Sequence, residues 1–114
     1  MALKAMNPTD TAAWQKLAVH FEQLQNVEMH EMFAADPMRT EKMHIEWKDF
    51  LVDYSKNRVT DETMSLLLSL AKEVDLADAI KKYFAGSIIN QTENRAVLHT
   101  ALRAKDQEAI LVDG

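Results

Sequence analysis

The first third of the chain carries large apolar residues at helical spacing. Four of them lie three or four positions apart: Trp14, Leu17, Phe21 and Leu24. This period predicts an α-helix with one apolar face. Thr9 or Asp10 is a suitable N-cap, because its side-chain oxygen accepts a hydrogen bond from a free N–H group of the first turn.

A second, shorter helix is predicted from Glu28 to Ala35. Its inward-facing side chains are Met29, Met32 and Phe33. Asp36-Pro37 ends this helix, because the residue before a proline is pushed out of the α region.

The period then changes from helical to alternating. Apolar Met43, Ile45 and Trp47 alternate with His44 and Glu46, which predicts a half-buried strand. Lys48-Asp49 turns the chain, and a returning strand follows from Phe50 to Tyr54. The segment is therefore predicted to be a β-hairpin, although Lys-Asp is not a favoured two-residue turn.

Two more helices are predicted after the polar connector Ser55–Arg58. Thr60, Asp61 and Glu62 cap and charge the start of the first, and Asp75 caps the second, which Gly86 ends. The buried face of the first is predicted to be Met64, Leu67, Leu68, Ala71 and Val74. The second carries Leu76, Ala79, Ile80, Tyr83 and Phe84.

The last part of the chain combines one more helical pattern with an apolar run. Residues 92–102 resume helical spacing, and Ile110–Val112 is predicted to be a strand followed by an Asp113-Gly114 turn. We expect further structure after that turn. No repeat or linker divides the chain, so residues 1–114 form one module of the α+β class, helix-rich with a short β-hairpin.

Composition restricts the classes of function. The chain has 114 residues, 47% of them hydrophobic, and a formal net charge of -5, which disfavours a phosphate-backbone binder. Cysteine is absent, so disulfides and zinc–thiolate sites are excluded, and Gly86 and Gly114 are too few for a glycine-rich phosphate loop. We expect a cytoplasmic protein that binds neither nucleic acid nor membrane.

Histidine and methionine are the first candidate ligands. His20, His30, His44 and His99 lack metal-site spacing, and we interpret them as surface or helix-flanking residues. The pairs Met29-His30 and Met43-His44, with Met32 and Met38, leave a copper(I) site open as the less favoured alternative to core packing.

Other polar groups also allow two interpretations. The carboxylate pairs are Glu28 with Glu31, Asp61 with Glu62, and Asp75 with Asp78. An acid–base pair needs a defined separation across a pocket, which spacing along the sequence does not give, and a helix N-terminus explains Asp61 and Glu62. A Ser55-Lys56 nucleophile pair is disfavoured, because adjacent residues rarely face each other. Arg95, His99 and Arg103 lie at i, i+4 and i+8, so on one helix they form either an anion-binding stripe or anchors for neighbouring loops.

Several segments together are more specific than any of these motifs. They are 7–9 and 12–14, Leu51-Val52-Asp53-Tyr54-Ser55-Lys56-Asn57, Leu70-Ala71-Lys72-Glu73, the run 89–103 and Ile110-Leu111-Val112-Asp113-Gly114. In order and spacing the chain resembles the N-terminal region of the glucose-6-phosphate isomerase family. Residues 27–49 depart most from the family pattern.

The resemblance implies a fold and an activity for the parent protein. It implies that the chain is the N-terminal portion of a two-domain α/β/α (SIS-type) sugar isomerase. The resemblance further implies that this enzyme is a homodimer, acts in glycolysis and gluconeogenesis, and uses no metal or organic cofactor. Such enzymes interconvert the sugar phosphates glucose 6-phosphate and fructose 6-phosphate through a cis-enediol(ate).

The resemblance assigns no catalytic, cofactor-binding or metal-binding residue to this chain. The family's glutamate base, its other catalytic side chains and its phosphate loops belong to later segments. Glu93, Arg95 and His99 match family positions and are interpreted as structural. We therefore expect the 114 residues alone to be inactive; the alternative is an independent helical interaction module that docks through the Trp14-Leu17-Phe21-Leu24 face.

Overall fold

The computed structural model describes residues 3–105 and 109–112. Within them the chain is helix-rich with one two-stranded antiparallel hairpin, so the predicted α+β class is confirmed. The helices are α1 (Ala12–Leu24), α2 (Met29–Ala35), α3 (Arg39–Lys42), α4 (Asp61–Glu73) and α5 (Leu76–Ala85), and the strands are β1 (His44–Trp47) and β2 (Phe50–Asp53). Short 3-10 helices lie at Pro8–Asp10 and His99–Arg103.

Helix α1 begins one or two residues later than its predicted caps, Asp10 or Thr9, would place it. Thr9 and Asp10 belong to the preceding 3-10 helix, which Asn7 caps by accepting a hydrogen bond from the Thr9 N–H at 3.2 Å. The N-cap of α1 is Thr11, whose hydroxyl oxygen accepts from the Trp14 N–H at 3.1 Å. The prediction of an N-cap was right in kind and wrong in position, because three threonine and aspartate residues in a row offer equivalent oxygens.

Helices α1 and α4 form an antiparallel pair. His20 meets Thr63 at the start of α4, and the Ala13 N–H donates to Glu73 Oε2 (3.2 Å) at its end. The buried residues of α1 are Ala13 and His20. Two members of the predicted apolar face, Trp14 and Phe21, instead point outward.

The buried face of α4 is also rotated from the prediction. Thr63 is the buried residue of this helix, while the predicted Leu67 and Leu68 are exposed. Thr60 caps α4 as predicted, in a reciprocal capping box with Thr63. The rotation follows from this cap, because the Thr63 side chain that closes the box also faces α1.

Helix α2 and the hairpin have the predicted boundaries within a residue or two. Met32 is buried, and Lys48-Asp49 connects β1 to β2, with Lys48 in the left-handed region at φ 51°. The strand exists, but the prediction that it is half-buried was wrong. Every residue of β1 and β2 is exposed, and Met43, which is buried, lies just before β1. Helix α3, one turn long, was not predicted.

Helix α5 follows α4 after a sharp turn. Asp75 occupies its N-cap position at φ 58° without a side-chain hydrogen bond to the helix, so it does not act as the predicted cap. Gly86 ends the helix at φ 73°, as predicted. An added Cβ at Gly86 would lie 2.9 Å from Leu98 Cδ2 and 3.4 Å from Val112 Cγ2, so the following chain packs closely against this glycine.

The predicted helix over residues 92–102 is wrong. Residues 91–94 form a turn, closed by a bridge between Asn90 and Arg95. The Asn90 side-chain oxygen accepts from the Thr92 hydroxyl (2.9 Å) and from the Glu93 N–H (3.3 Å), and this local bonding competes with a helix. Only His99–Arg103 is helical, as a 3-10 helix.

The predicted strand Ile110–Val112 is also wrong, because these residues pair with no strand among the described residues. The Asp113-Gly114 turn lies outside the described residues.

Few apolar side chains are buried. Among the described residues they are Ala13, Met32 and Met43. The radius of gyration is 18.7 Å, against about 13 Å for a compact domain of this length. No helix in the described ranges is long and apolar enough to cross a membrane.

Candidate functional site

The polar connector Ser55–Arg58 links β2 to α4 and also contacts α3 and the end of α1. It follows β2 and precedes α4, and Arg39 of α3 reaches it from the side. The Arg39 Nε donates to the Ser55 carbonyl and its Nη2 to the Asn57 carbonyl, both at 2.6 Å. Arg39 is 2% exposed and its guanidinium lies 5.7 Å from the centre of the Phe33 ring. A guanidinium so enclosed holds the backbone and is closed to a substrate.

Arg58 fixes the same connector to the end of α1. Its Nη2 donates to the Val27 carbonyl and, at 3.3 Å, to the Leu24 carbonyl. A cation at this place also interacts favourably with the carbonyl end of the helix dipole. Arg39 and Arg58 were not singled out in the sequence, because isolated arginines beside turns resemble ordinary surface residues.

His20 is the centre of a second polar cluster, between α1 and α4. Its Nε2 lies 2.7 Å from Thr63 Oγ1 and 3.4 Å from Thr60 Oγ1, and its Nδ1 lies 3.7 Å from Glu62 Oε2. The imidazole is 5% exposed, so the surface alternative in its interpretation as a surface or helix-flanking residue was wrong. The two threonines form the capping box of α4, and His20 therefore joins α1 to the cap of its neighbour.

Open grooves flank His20 on both sides of the contact between α1 and α4, which we call the seam. One, of about 450 Å³, is lined by Leu17, Phe21 and Arg58 among others. The other, of about 330 Å³, is lined by Val19, Glu62 and Leu66 among others. The arginine at the first groove is already bound to main-chain carbonyls, so the lining offers apolar contact rather than a phosphate site.

Arg95, His99 and Arg103 do not form one stripe. Arg95 closes the turn bridge and its Nη1 lies 3.6 Å from Glu93 Oε2, whereas His99 and Arg103 belong to the separate 3-10 helix. The anion-binding alternative required one continuous helix and is therefore contradicted. Arg95 and Glu93 stabilise the turn, which agrees with their structural interpretation.

Ser55 and Lys56 do not form a nucleophile pair. Ser55 has no exposed surface, while Lys56 is exposed. The backbone N–H of Ser55 donates to Asp53 Oδ1 at 2.8 Å, which sets the turn after β2. Because Ser55 is fully buried, no substrate carbon can reach its hydroxyl group.

Two carboxylate pairs, Glu28 with Glu31 and Asp61 with Glu62, lie at the starts of helices, as predicted for Asp61 and Glu62. Glu28 and Glu31 form the capping box of α2, and the Glu28 N–H donates to Glu31 Oε2 at 2.9 Å. Asp61 and Glu62 lie in the first turn of α4. Asp78 pairs with Lys82 one turn further along α5.

The methionines and the remaining histidines have ordinary environments. Met32 and Met43 are buried, in agreement with core packing, while His30 and His44 are exposed. His30 Nδ1 lies 3.1 Å from Glu28 Oε2, and His44 Nδ1 lies 3.1 Å from the Thr40 carbonyl. Within the described ranges, no three His, Cys, Asp or Glu side chains come together as a metal site.

The comparisons with known proteins agree on one family. The sequence model of phosphoglucose isomerase matches residues 53–114, more than half of the chain. The glucose-6-phosphate isomerase of Christiangramia forsetii is 54% identical over 110 residues, which are 96% of this chain. The chain spans 20% of the length of that curated relative. The region matched by the family model contains the connector Ser55–Arg58, helix α4 and the Asn90–Arg95 turn. The chain therefore belongs to the phosphoglucose isomerase family.

Proposed function

We propose that the chain is the N-terminal segment of a glucose-6-phosphate isomerase, which interconverts glucose 6-phosphate and fructose 6-phosphate. The observation that carries this proposal is the 54% identity over 110 residues to a relative of that name. The identity extends over 96% of the chain, so it includes the helices and the hairpin described above.

In this proposal the chain supports the catalytic machinery and does not supply it. Aldose–ketose isomerisation opens the sugar ring and moves a proton between two carbons through a cis-enediol(ate), which requires an accessible base and a stabiliser for the oxyanion. Arg39 is bound to main-chain carbonyls, His20 contacts Thr63, and Ser55 is fully buried, so none of these enclosed polar groups is accessible to a substrate. The base and the phosphate site belong to the rest of the polypeptide, and the isolated 114 residues are inactive.

The test is a chimera in which this chain replaces the matching 110-residue stretch of the C. forsetii enzyme. Conversion of fructose 6-phosphate is followed by coupling the glucose 6-phosphate formed to its dehydrogenase. We expect the chimera to be active, and the isolated chain to show no more activity than a mock preparation.

The matched control is the same enzyme with the stretch deleted, which we expect to be inactive. Activity of the isolated chain would refute the assignment of the catalytic groups to other segments. A folded but inactive chimera would refute the proposal that this segment serves a glucose-6-phosphate isomerase.

The proposed enzyme is a cytoplasmic homodimer that needs no metal or organic cofactor. Sedimentation of the active chimera tests the dimer, and activity after dialysis against a chelator tests the independence from metal. A monomeric active chimera would contradict the first expectation, and loss of activity restored by a divalent cation would contradict the second.

A second candidate function is an independent helical interaction module. It is favoured by one observation: Trp14 and Phe21 on α1 are 41% and 60% exposed beside open grooves. Iodide quenching of Trp14 distinguishes the two functions. It is measured in the chain with Trp47→Phe and in a chimera with the same change, in which any tryptophan of the C. forsetii part is also replaced by phenylalanine. Quenching that disappears in the chimera makes this face internal to the enzyme, whereas equal quenching in an active chimera favours a free docking surface.

A further inference from the structure

The hairpin of β1 and β2 has one apolar and one mostly polar face. Residues directly opposite each other in an antiparallel pair share a face, and Ile45 pairs with Val52 and Trp47 with Phe50. The rings of Trp47 and Phe50 are stacked with their centres 5.7 Å apart, as expected for side chains on one face. The opposite face carries His44, Glu46, Leu51 and Asp53.

The apolar face is uncovered. Its four side chains are between 54% and 64% exposed, and the main contacts of each strand are with the other strand. An isolated two-stranded hairpin is marginally stable in water and needs a third layer. The alternation of apolar and polar pairs therefore specifies which side of the hairpin that layer covers.

The size of the apolar face indicates whether it is covered by another part of the same polypeptide or by a separate molecule. Four partly exposed side chains present a few hundred Å² at most, whereas a stable complex of separate molecules buries about 800 Å² on each partner. A contact within one polypeptide needs no such area, because the tether supplies a high effective concentration. Two copies of this chain would also bring together two net charges of -5.

We propose that the face formed by Ile45, Trp47, Phe50 and Val52 is an intramolecular docking surface for the part of the isomerase polypeptide that lies outside these 114 residues. The inference rests on the proposed function, and it gives the hairpin an occupant: the other four fifths of a family member's length, of which this chain spans 20%. The occupant is apolar where it meets Trp47, and Glu46 and Asp53 on the other face stay in water.

The absence of cysteine from this chain permits a direct test. Val52→Cys places a thiol on the apolar face, and Glu46→Cys places a matched thiol on the opposite face of the same hairpin. Each is made in the isolated chain and in the chimera, from which the cysteines of the C. forsetii part have been replaced by serine. The rate of maleimide labelling measures the exposure of each thiol.

We expect Val52→Cys to label at least about tenfold more slowly in the chimera than in the isolated chain, because labelling then requires local opening. Glu46→Cys labels at similar rates in both. Ile45→Cys, the cross-strand neighbour of Val52, repeats the measurement if Val52→Cys does not fold.

Equal labelling of the apolar-face thiols in chimera and isolated chain overturns the inference. Protection that grows with the concentration of the isolated chain also overturns it, in favour of a second copy. Isomerase activity is measured on the same samples, so the two proposals fail separately. Protection in an inactive chimera supports docking and refutes the proposed function, while rapid labelling in an active chimera refutes docking alone.

Discussion

His20 is a polar residue at the centre of a helix–helix seam. Its Nε2 lies 2.7 Å from Thr63 Oγ1, and Thr63 Oγ1 also accepts from the Thr60 N–H at 2.9 Å. Removing the imidazole leaves a cavity and deprives the buried Thr63 hydroxyl of one of its partners, which costs about 1–3 kcal/mol. We therefore expect His20→Ala to lower by that amount the free energy of opening of α4, measured by amide hydrogen exchange.

The matched control is His30→Ala. His30 is exposed and lies beside a single carboxylate, so its removal changes the same opening energy by no more than about 0.5 kcal/mol. Equal exchange in the wild-type chain and in His20→Ala would contradict a supporting role for the buried imidazole.

Asp36 and Lys42 give a second prediction at the residue scale. The Lys42 Nζ donates to Asp36 Oδ2 at 2.9 Å, and this hydrogen bond holds the pKa of Asp36 below its ordinary value of 3.8. The stabilisation is therefore present above pH 3.8 and is lost as the pH falls through the lower pKa of the folded state. In Lys42→Met we expect the pKa of Asp36 to rise towards 3.8, as measured by carboxyl NMR titration.

Lys48→Met is the control for this titration. Lys48 lies over the Trp47 ring, at a centroid distance of 5.0 Å, and has no contact with Asp36 among those observed. An Asp36 pKa that is the same in Lys42→Met as in the wild-type chain would show that the ion pair does not persist in solution.

At the scale of elements, Gly86 joins helix α5 to the chain that follows it. Its φ of 73° is unfavourable for a residue with a Cβ by about 1–2 kcal/mol, and that Cβ would lie 2.9 Å from Leu98 Cδ2. Gly86→Ala should therefore destabilise the end of α5 by at least about 1–2 kcal/mol, detected as faster amide exchange in its last turn. Ala85→Ser, one residue earlier and exposed, should leave that exchange nearly unchanged. Unchanged exchange in Gly86→Ala would contradict the left-handed helix end.

Local chemistry explains which elements were predictable from the sequence. Helices α1, α2, α4 and α5 and the hairpin follow from period, caps and breakers, which act within a few residues. The helix over 92–102 failed because Asn90 bonds its own turn, an interaction that the apolar period does not record.

Burial was less predictable than element type. The contact between α1 and α4 passes through Ala13, His20 and Thr63, so several of the large apolar residues on these helices, such as Phe21 and Leu68, lie outside it. Period identifies an apolar face but not which neighbour covers it. The supporting roles of Arg39 and Ser55 were equally hidden, because they depend on contacts 16 residues apart.

At the scale of the whole molecule, exposed apolar side chains occur on several faces of the described residues, and three of these faces are well defined. Trp14 and Phe21 lie on α1, the hairpin carries the docking surface, and Leu76, Ile80 and Phe84 form a stripe along α5 with exposed fractions of 47%, 49% and 66%. A stripe at i, i+4 and i+8 on one helix normally packs against another layer. These faces account for the extended radius of gyration of 18.7 Å, since elements that bury little against each other do not form a compact body.

This distribution predicts how the isolated chain binds an apolar dye. Anilinonaphthalene sulfonate fluoresces on exposed apolar surface, so we expect strong binding by the chain and much weaker binding by the chimera, in which the rest of the polypeptide covers these faces. Replacing the α5 stripe by Leu76→Ser, Ile80→Ser and Phe84→Ser should reduce the dye fluorescence of the chain. Lys81→Ser, an exposed polar position on the same helix, should leave it unchanged. Weak dye binding by the isolated chain would mean that its apolar faces are covered without any further polypeptide. Equal fluorescence in the triple variant would assign the dye to exposed apolar side chains outside α5.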